Sequence, residues 1–206
     1  MIVHPIGMMR ANAAAGAEVV INFTSAQGYT LGQTIYANAD WTNTEGYSYN
    51  YIRDNSGTRV ARQEGPGTPH IYIGDTFSDD REVYAILNDK EGVAGAVCRV
   101  YLYITDANNC CYVDHDNGNY VKFRQFIGGV EQANSASIDS GSLAVSGTKL
   151  TISRVGTAIT VKKDTTTITT KTLAGSPASA QPGFYCYASS PTTNYNEIRE
   201  FGAKDL

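Results

Sequence analysis

The sequence predicts an all-β fold, an antiparallel sandwich of two sheets. Between residues 101 and 163 it consists of short apolar or alternating segments, each ending in Asn, Asp, Ser or Gly. Segments of this kind separated by turn residues are typical of sandwiches and barrels. The composition agrees, because 14 Tyr and 20 Gly accompany only 17% charged residues, as expected for strands and turns. A chain of 206 residues has the length of one such domain.

The amino-terminal segment, residues 1–17, differs from the rest of the chain. It contains Met and Ala without alternation, which predicts one or two helical turns near residues 8–15, and we interpret it as an arm. The β pattern begins at Glu18 with VVINF and meets no Pro/Ser linker, so residues 18–206 are predicted to form the sandwich. Residues 63–69 contain two Pro and two Gly, which predicts a loop.

Three strands have a predicted inward face, because their apolar residues alternate with polar ones. In AVCRVYLYI the inward set is Ala96, Cys98, Val100, Leu102 and Ile104, opposite Arg99, Tyr101 and Tyr103. In YVKFRQFI it is Val121, Phe123 and Ile127, and in AITVKKD it is Ile159 and Val161.

Two dipeptides predict tight hairpins. Asn117-Gly118 is the pair that a two-residue type I′ turn prefers, and it joins CYVDH to YVKFR. Gly156-Thr157 joins LTISRV to AITVK. Strands joined this closely must be antiparallel.

The order of these segments resembles a known family. The strand YVKFRQFIGGV, the hairpin LAVSGTKLTISRVGTAITV, a Thr-rich strand, PGFYCYAS and a final NEIREF resemble the concanavalin A-like jelly-roll domains of the laminin-G or glucanase type. The segment FTSAQGYTLGQTIYANADW resembles the opening of such domains in bacteriophage virion proteins. The resemblance covers residues 18–203 and implies a jelly-roll sandwich.

The resemblance also defines what a catalytic site would require. Retaining glucanases of this fold carry two Glu and an Asp at alternate positions of one strand, which suits a mechanism needing carboxyl groups ~5 Å apart. This chain has no Glu-x-Asp-x-Glu run, and Glu197 and Glu200, three apart, are predicted on opposite strand faces. The charged residues 79–82 are predicted to form a solvated turn. We therefore expect the protein not to be an enzyme.

Metal and cofactor motifs are weak or absent. Residues 114–118 superficially resemble a calcium loop, but the fifth, sixth and twelfth positions hold Gly118, Asn119 and Gln125, and the hairpin explains them better. Lectins of this fold bind calcium and sugar through loop Asp and Asn. The weak candidates for such a site are Asp106, Asn108, Asn109 and Asp114. We expect no metal and no cofactor.

The cysteines and histidines show no metal-ligand spacing. The four cysteines are predicted to be buried or half-buried packing groups, with Cys110 and Cys111 on opposite faces of a strand. A disulfide is an alternative that the sequence leaves open. His70 opens the short segment HIYI and is predicted to lie at an edge rather than to act as a base.

A group of aromatic residues gives the remaining candidates for a binding site. Trp41, Tyr47, Tyr49 and Tyr51 occur close together, and the three tyrosines alternate so that they share one strand face. Aromatic platforms bind sugar rings and also bury well in protein interfaces. The alternative is that this face belongs to the sandwich interior.

These observations predict a non-enzymatic structural protein of a bacteriophage virion, in capsid decoration or the tail or neck. A carbohydrate-binding module of a phage adhesin or microbial surface protein is the alternative, and a polysaccharide-degrading enzyme is third. The net charge of −4 argues against nucleic acid or membrane partners, and the amino terminus lacks the positive charge of a secretory signal. Expected partners are other virion proteins, further copies of the chain docked through the arm, and a host surface glycan.

Overall fold

The computed structural model describes residues 16–43, 50–64, 69–88, 97–116, 120–139, 147–175, 180–187 and 197–206. It confirms the all-β prediction: two antiparallel sheets pack face to face, and the helical turns in these ranges are two three-residue 3-10 turns, Ser25–Gln27 and Ile35–Ala37. No helix in the described ranges has the length and apolar character needed to cross a membrane.

One sheet, the back sheet, has the order β14-β13-β12-β6-β16-β4-β3, with β1 paired to β16. Its strands are β1 (Glu18–Ile21), β3 (Asn50–Asn55), β4 (Thr58–Gln63), β6 (Arg81–Leu87), β12 (Lys149–Val155), β13 (Ala158–Lys163), β14 (Thr166–Thr172) and β16 (Glu197–Asp205). The first strand within the described residues begins at Glu18, where the sequence pattern predicts a strand. Most of the predicted arm, residues 1–15, lies outside the described residues, as does its predicted helix.

The other sheet, the front sheet, has the order β10-β9-β8-β7-β15-β5-β2, with β11 paired to β9. Its strands are β2 (Trp41–Asn43), β5 (His70–Tyr72), β7 (Val97–Asp106), β8 (Asn109–Asp116), β9 (Tyr120–Ile127), β10 (Val130–Glu131), β11 (Ala136–Asp139) and β15 (Gln181–Tyr187).

The main core fills the space between the two sheets. The predicted inward residues Val121, Phe123, Ile159 and Val161 are all fully buried there, which confirms the faces assigned to β9 and β13 at those positions. Near one end, the Trp41 ring packs edge-on against Phe184 and Phe201, with centroid distances of 5.1 and 5.3 Å.

The two predicted hairpins are both antiparallel. In β12–β13, Val155 pairs with Ala158, so Gly156-Thr157 forms a two-residue loop, and Gly156 has the positive φ (60°) that such a turn needs. Strands β8 and β9 also pair antiparallel, with His115 opposite Val121. Residues 117–119 of that turn are outside the described ranges.

A bulge in β7 overturns part of its predicted face. The pairing with β8 shifts between Tyr101 and Tyr103, and an extra residue at a bulge reverses the alternation beyond it. Tyr103 therefore joins the main core, whereas Ile104 lies in a second cluster on the other side of the sheet. The prediction that Ile104 shares a face with Cys98 and Val100 was wrong.

In β9 the last predicted inward residue is also wrong, because Ile127 is 38% exposed. The position that faces the interior is Gln125, which is fully buried. Its Nε2 donates to the Tyr103 hydroxyl and the Gly175 carbonyl, and its Oε1 accepts from Asn134 Nδ2 and the Ala174 amide. With its amide satisfied on both sides, a glutamine can occupy a core position without the cost of unpaired polar atoms.

A second bulge, in β16, corrects the prediction for Glu197 and Glu200. Ile198 and Phe201 are three apart yet both fully buried in the main core, because the register shifts between Ile198 and Glu200. The two glutamates therefore project from the same outer face of the back sheet. Glu197 is buried and accepts hydrogen bonds from Arg62, Asn55 and Asn88, which is a structural role.

Two further predictions need correction. The charged residues 79–82 do lie where β6 begins, but Arg81 is buried rather than solvated, because its guanidinium donates to the carbonyls of Ser78 and Ala180. His70 opens β5 as predicted, but β5 lies between β15 and β2 and is not an edge, and the His70 ring is fully buried.

Candidate functional site

The outer face of the front sheet carries a second apolar cluster, separate from the main core. Along β7 and β8, residues such as Val100 and Val113 point inward, so their neighbours in sequence point outward. The outward cluster consists of Ile71, Tyr101, Ile104, Cys110 and Tyr112, with the half-buried Phe126 and Tyr185 packed against it. We call this group the front-face cluster.

Strand register aligns these side chains in rows across β15, β7, β8 and β9. The first row is Tyr185, Arg99, Asp114 and Lys122. The second row is Tyr101, Tyr112 and Arg124. The third row is Ile104, Cys110 and Phe126. Because neighbouring strands lie about 4.8 Å apart, each row forms a continuous line of side chains across the sheet.

The aromatic rings of the front-face cluster contact one another directly. Tyr112 and Phe126 stack with an interplanar angle of 11° and a centroid distance of 6.3 Å. Tyr101 lies 5.0 Å from Tyr112, tilted by 57°. Mutual ring contacts of this kind hold the platform in one arrangement.

Arg99 joins the aromatic rings to the polar groups. Its guanidinium carbon lies 4.9 Å from the centroid of Tyr112 and 4.7 Å from that of Tyr185, both within cation–π range. Its Nε lies 3.7 Å from Oδ2 of Asp114. Arg99 is therefore the group that fixes the relative positions of two rings and a carboxylate.

The Tyr112 hydroxyl and the Cys110 thiol stay neutral near physiological pH. Burial raises the pKa of Tyr112 to about 12 and that of the Cys110 thiol to about 12. Since the thiolate is the reactive form of cysteine, Cys110 is not an activated nucleophile. The charges of this face come instead from Arg99, Asp114, Lys122 and, further along, Arg124.

Along β8 the outward alternate positions are Cys110, Tyr112 and Asp114. Of these three side chains, Asp114 alone carries a carboxylate. Its side chain is only 7% exposed, in the first row beside Arg99. No group of three or more His, Cys, Asp or Glu side chains in the described part of the chain is arranged to hold a metal ion.

The structure separates the aromatic residues singled out in the sequence. Trp41 is 4% exposed in the main core, where its Nε1 donates to the Tyr29 hydroxyl at 2.6 Å. Tyr51 is half-buried on the outer side of the back sheet, beneath the Arg53 guanidinium, whose carbon lies 4.9 Å from the ring centroid. Tyr47 and Tyr49 lie outside the described residues.

The loop residues singled out in the sequence build a turn. Asp106 Oδ1 accepts from the Asn108 amide at 2.7 Å and from Asn109 Nδ2 at 3.1 Å. Asn109 Oδ1 then accepts from the Gly128 amide at 2.9 Å, which ties the β7–β8 turn to the β9–β10 turn. Asp114 lies apart from these three, within the front face.

The group formed by Arg99, Tyr101, Tyr112, Phe126 and Tyr185 was not predicted from the sequence. A signal was present, since YLYI, CCYV and FYCY each carry an aromatic residue at a position alternating with apolar ones. Only the register between strands brings them together. All four cysteines are buried and none forms a disulfide, and Cys110 and Cys111 face opposite sides of β8, as predicted.

Comparison with known proteins identifies solved structures that have a similar fold. No family model and no curated protein matched the chain. Among solved structures, the carbohydrate binding module CBM66 from Bacillus subtilis has a TM-score of 0.53 at 14% identity, covering 81% of this chain and 92% of that one. A Bacillus licheniformis beta-glucanase has a TM-score of 0.61 at 13% identity, covering 93% and 99%.

A third similar structure is the Crh5 transglycosylase, with a TM-score of 0.61 at 13% identity over 93% of this chain and 85% of that one. These structures share the concanavalin A-like jelly-roll fold, which confirms the predicted fold class. The expectation that the protein is not an enzyme is overturned, because glucanases and a transglycosylase share its fold. Nothing in the comparisons supports the bacteriophage or virion interpretation.

Proposed function

We propose that the protein binds a carbohydrate chain on the outer face of the front sheet. The observation that carries this proposal is a pair of half-buried rings, Phe126 and Tyr185, which border the buried front-face cluster on the outer side of the sheet, with Arg99 held between Tyr112 and Tyr185. Similar structures that are named as a carbohydrate binding module, a glucanase and a transglycosylase support a glycan ligand. This corresponds to the alternative function raised from the sequence rather than to its main one.

The chemistry of the face suits a sugar. The faces of pyranose rings carry C–H groups that pack on aromatic rings, and half-buried Phe126 and Tyr185 offer such surfaces at the two sides of the cluster. Arg99, whose side chain is 30% exposed, supplies N–H donors beside the rings for sugar hydroxyls. Ligand sites commonly combine an apolar surface with a few fixed polar groups in this way.

The binding test compares two variants of the front face with one of the back sheet. Tyr185→Ala and Phe126→Ala are each expected to weaken affinity for the bound polysaccharide by about tenfold, the loss of one good aromatic contact. Tyr51→Ala is the matched control, because Tyr51 is also half-buried but lies on the other sheet. Affinity electrophoresis against a panel of neutral and acidic polysaccharides identifies a polysaccharide that the protein binds. Titration calorimetry then measures the affinity of each variant for it.

Failure to bind any polysaccharide in the panel would overturn the proposal. If Tyr51→Ala lowers the affinity for the polysaccharide more than the two front-face variants do, the binding site lies on the back sheet instead. Circular dichroism and a denaturant titration on each variant separate lost binding from lost folding.

Cleavage or transfer of a glycan is the second candidate function, favoured by the Asp114 carboxylate on the glycan-facing side of β8. Glycoside hydrolysis ordinarily uses a pair of carboxyl groups, so this activity needs a partner for Asp114. The test measures new reducing ends on the same polysaccharides, with Asp114→Asn as the inactive variant. Turnover that Asp114→Asn abolishes would establish the enzyme, and binding without turnover would leave recognition as the function.

A further inference from the structure

We infer that the glycan is acidic, and that a groove beside the front-face cluster binds its carboxylate groups; this inference rests on the proposed function. The groove lies over β9, β10 and β11 and has a volume of about 150 Å³. The lining residues that bear on the ligand are Lys122, Arg124, Glu131, Ser135 and Ser137. Since a water molecule occupies about 30 Å³, the groove has room for a carboxylate and several waters.

Two residues of the groove are the β9 members of the side-chain rows described for the front face. Lys122 stands opposite Asp114 in the first row, and Arg124 stands opposite Tyr112 in the second. On the far side of β9, Ser137 of β11 pairs with Lys122. Phe126 lies two residues from Arg124 on the same face of β9, so a sugar packed on the half-buried Phe126 ring brings the next sugars of the glycan within reach of the groove.

The charge of the lining favours an anion. Lys122 and Arg124 contribute two positive charges and Glu131 one negative charge, so the lining carries a net charge of +1 at neutral pH, although the whole chain carries −4. A hydroxyl from Ser137 or Ser135 adds a neutral donor. Hydrogen bonds from charged donors to a carboxylate are about twice as strong as neutral ones, which makes this composition selective for acidic sugars.

Arg124 is already held in position by the groove itself. Its Nη1 donates to Oε1 of Glu131 at 2.6 Å, and the Arg124 side chain is 31% exposed. A guanidinium has five N–H donors, so it can retain Glu131 and bind an incoming carboxylate at the same time. Glu131 thus acts as a positioning residue that orders Arg124 before the ligand arrives.

The experiment compares polygalacturonate and alginate with fully methyl-esterified pectin, which has the galacturonate backbone without its charge. We expect binding to at least one acidic polymer at least tenfold tighter than to the ester, with affinity falling as salt rises. Lys122→Gln and Arg124→Gln should each weaken acidic binding by about tenfold, the equivalent of one charge-assisted hydrogen bond. Lys162→Gln, on β13 of the back sheet, removes the same charge elsewhere and should change nothing.

Each outcome has a distinct meaning. Binding to neutral polysaccharides alone, unaffected by Lys122→Gln and Arg124→Gln, would overturn the acidic-ligand inference and leave the proposed function standing. If Lys162→Gln weakens binding to acidic polysaccharides as much as Lys122→Gln does, the effect of charge is not local to the groove. That result would overturn the assignment of the groove as the carboxylate site. Binding to no polysaccharide would overturn the proposed function itself.

Discussion

Cys98 of β7 and Cys186 of β15 face each other directly in the main core, with their sulfur atoms 3.7 Å apart and both side chains excluded from solvent. The other two cysteines are also buried. Burial raises the pKa of the Cys111 thiol as well as that of Cys110. All four thiols are therefore shielded from solvent, and Cys110 and Cys111 also have a low thiolate fraction at neutral pH.

We expect an aromatic disulfide reagent at pH 8 to label the native protein slowly and all four thiols rapidly once guanidinium unfolds it. The released chromophore, followed by absorbance, measures both rates. One thiol that reacts fast in the native state would show that its strand opens to solvent.

Phe123 and Phe126 lie on the same strand, face opposite sides of the front sheet, and so test its two faces. Phe123→Ala is expected to cost about 3 to 5 kcal/mol of unfolding free energy, because the ring is fully buried in the main core. Phe126→Ala should cost only about 1 kcal/mol, since its ring is half-buried on the outer face. Urea titrations measure both, and equal losses would contradict the assigned faces.

Gly202 of β16 makes room for the ring of Tyr84 on β6. A Cβ at position 202 would lie 2.3 Å from Cε1 of Tyr84, whose hydroxyl donates to Glu200 and whose ring carries the Lys149 ammonium 3.4 Å from its centroid. Gly202→Ala should therefore displace the ring and cost about 1 to 3 kcal/mol. In a Tyr84→Ala background the same change should cost much less, and additive losses would show that the ring is not the obstacle.

The buried imidazole of His70 predicts a pH dependence of stability. Burial lowers its pKa to about 3, while the unfolded chain binds the proton near pH 6.5. Between these values only the unfolded state is protonated, so His70 makes the free energy of unfolding fall by about 1.4 kcal/mol per pH unit as the pH drops. The effect is absent above pH 6.5 or so and complete below about pH 3.

Urea titrations at pH 7, 6 and 5 of the wild type and His70→Gln measure this contribution as the difference in slope. The lowered pKa of Asp205 acts in the same direction but is common to both proteins, so it cancels in the comparison. Parallel pH profiles for the two proteins would mean that His70 is not kept neutral by the fold.

The sequence predicts the sandwich, its first strand and the inward faces at Phe123 and Val161, because alternation and turn residues are local signals. It fails at the bulges, since one extra residue in β7 or β16 reverses the face of everything beyond it without a compositional mark. The prediction for Ile104 was wrong for this reason.

The front-face cluster could not be predicted for a different reason. Tyr185 and Arg99 are neighbours through the pairing of β15 with β7, and this register between distant segments is a property of the assembled sheet. Trp41, conspicuous in the sequence as the one Trp of the chain, lies instead in the core. A large aromatic residue gives no local indication of which side of a sandwich will cover it.

The junction of β1 with β16 has a mechanical consequence. The Ala17 amide donates to the Asp205 carboxylate at 2.8 Å, the Asp205 amide donates to the Ala17 carbonyl at 2.9 Å, and the antiparallel ladder runs from there to Ile21 opposite Phe201. A force that pulls Ala17 and Asp205 apart would load this ladder from its open end. The hydrogen bonds of the ladder would then break one pair after another, because they are not loaded together in shear. Tension applied at these two residues would therefore separate β1 from the back sheet at low force.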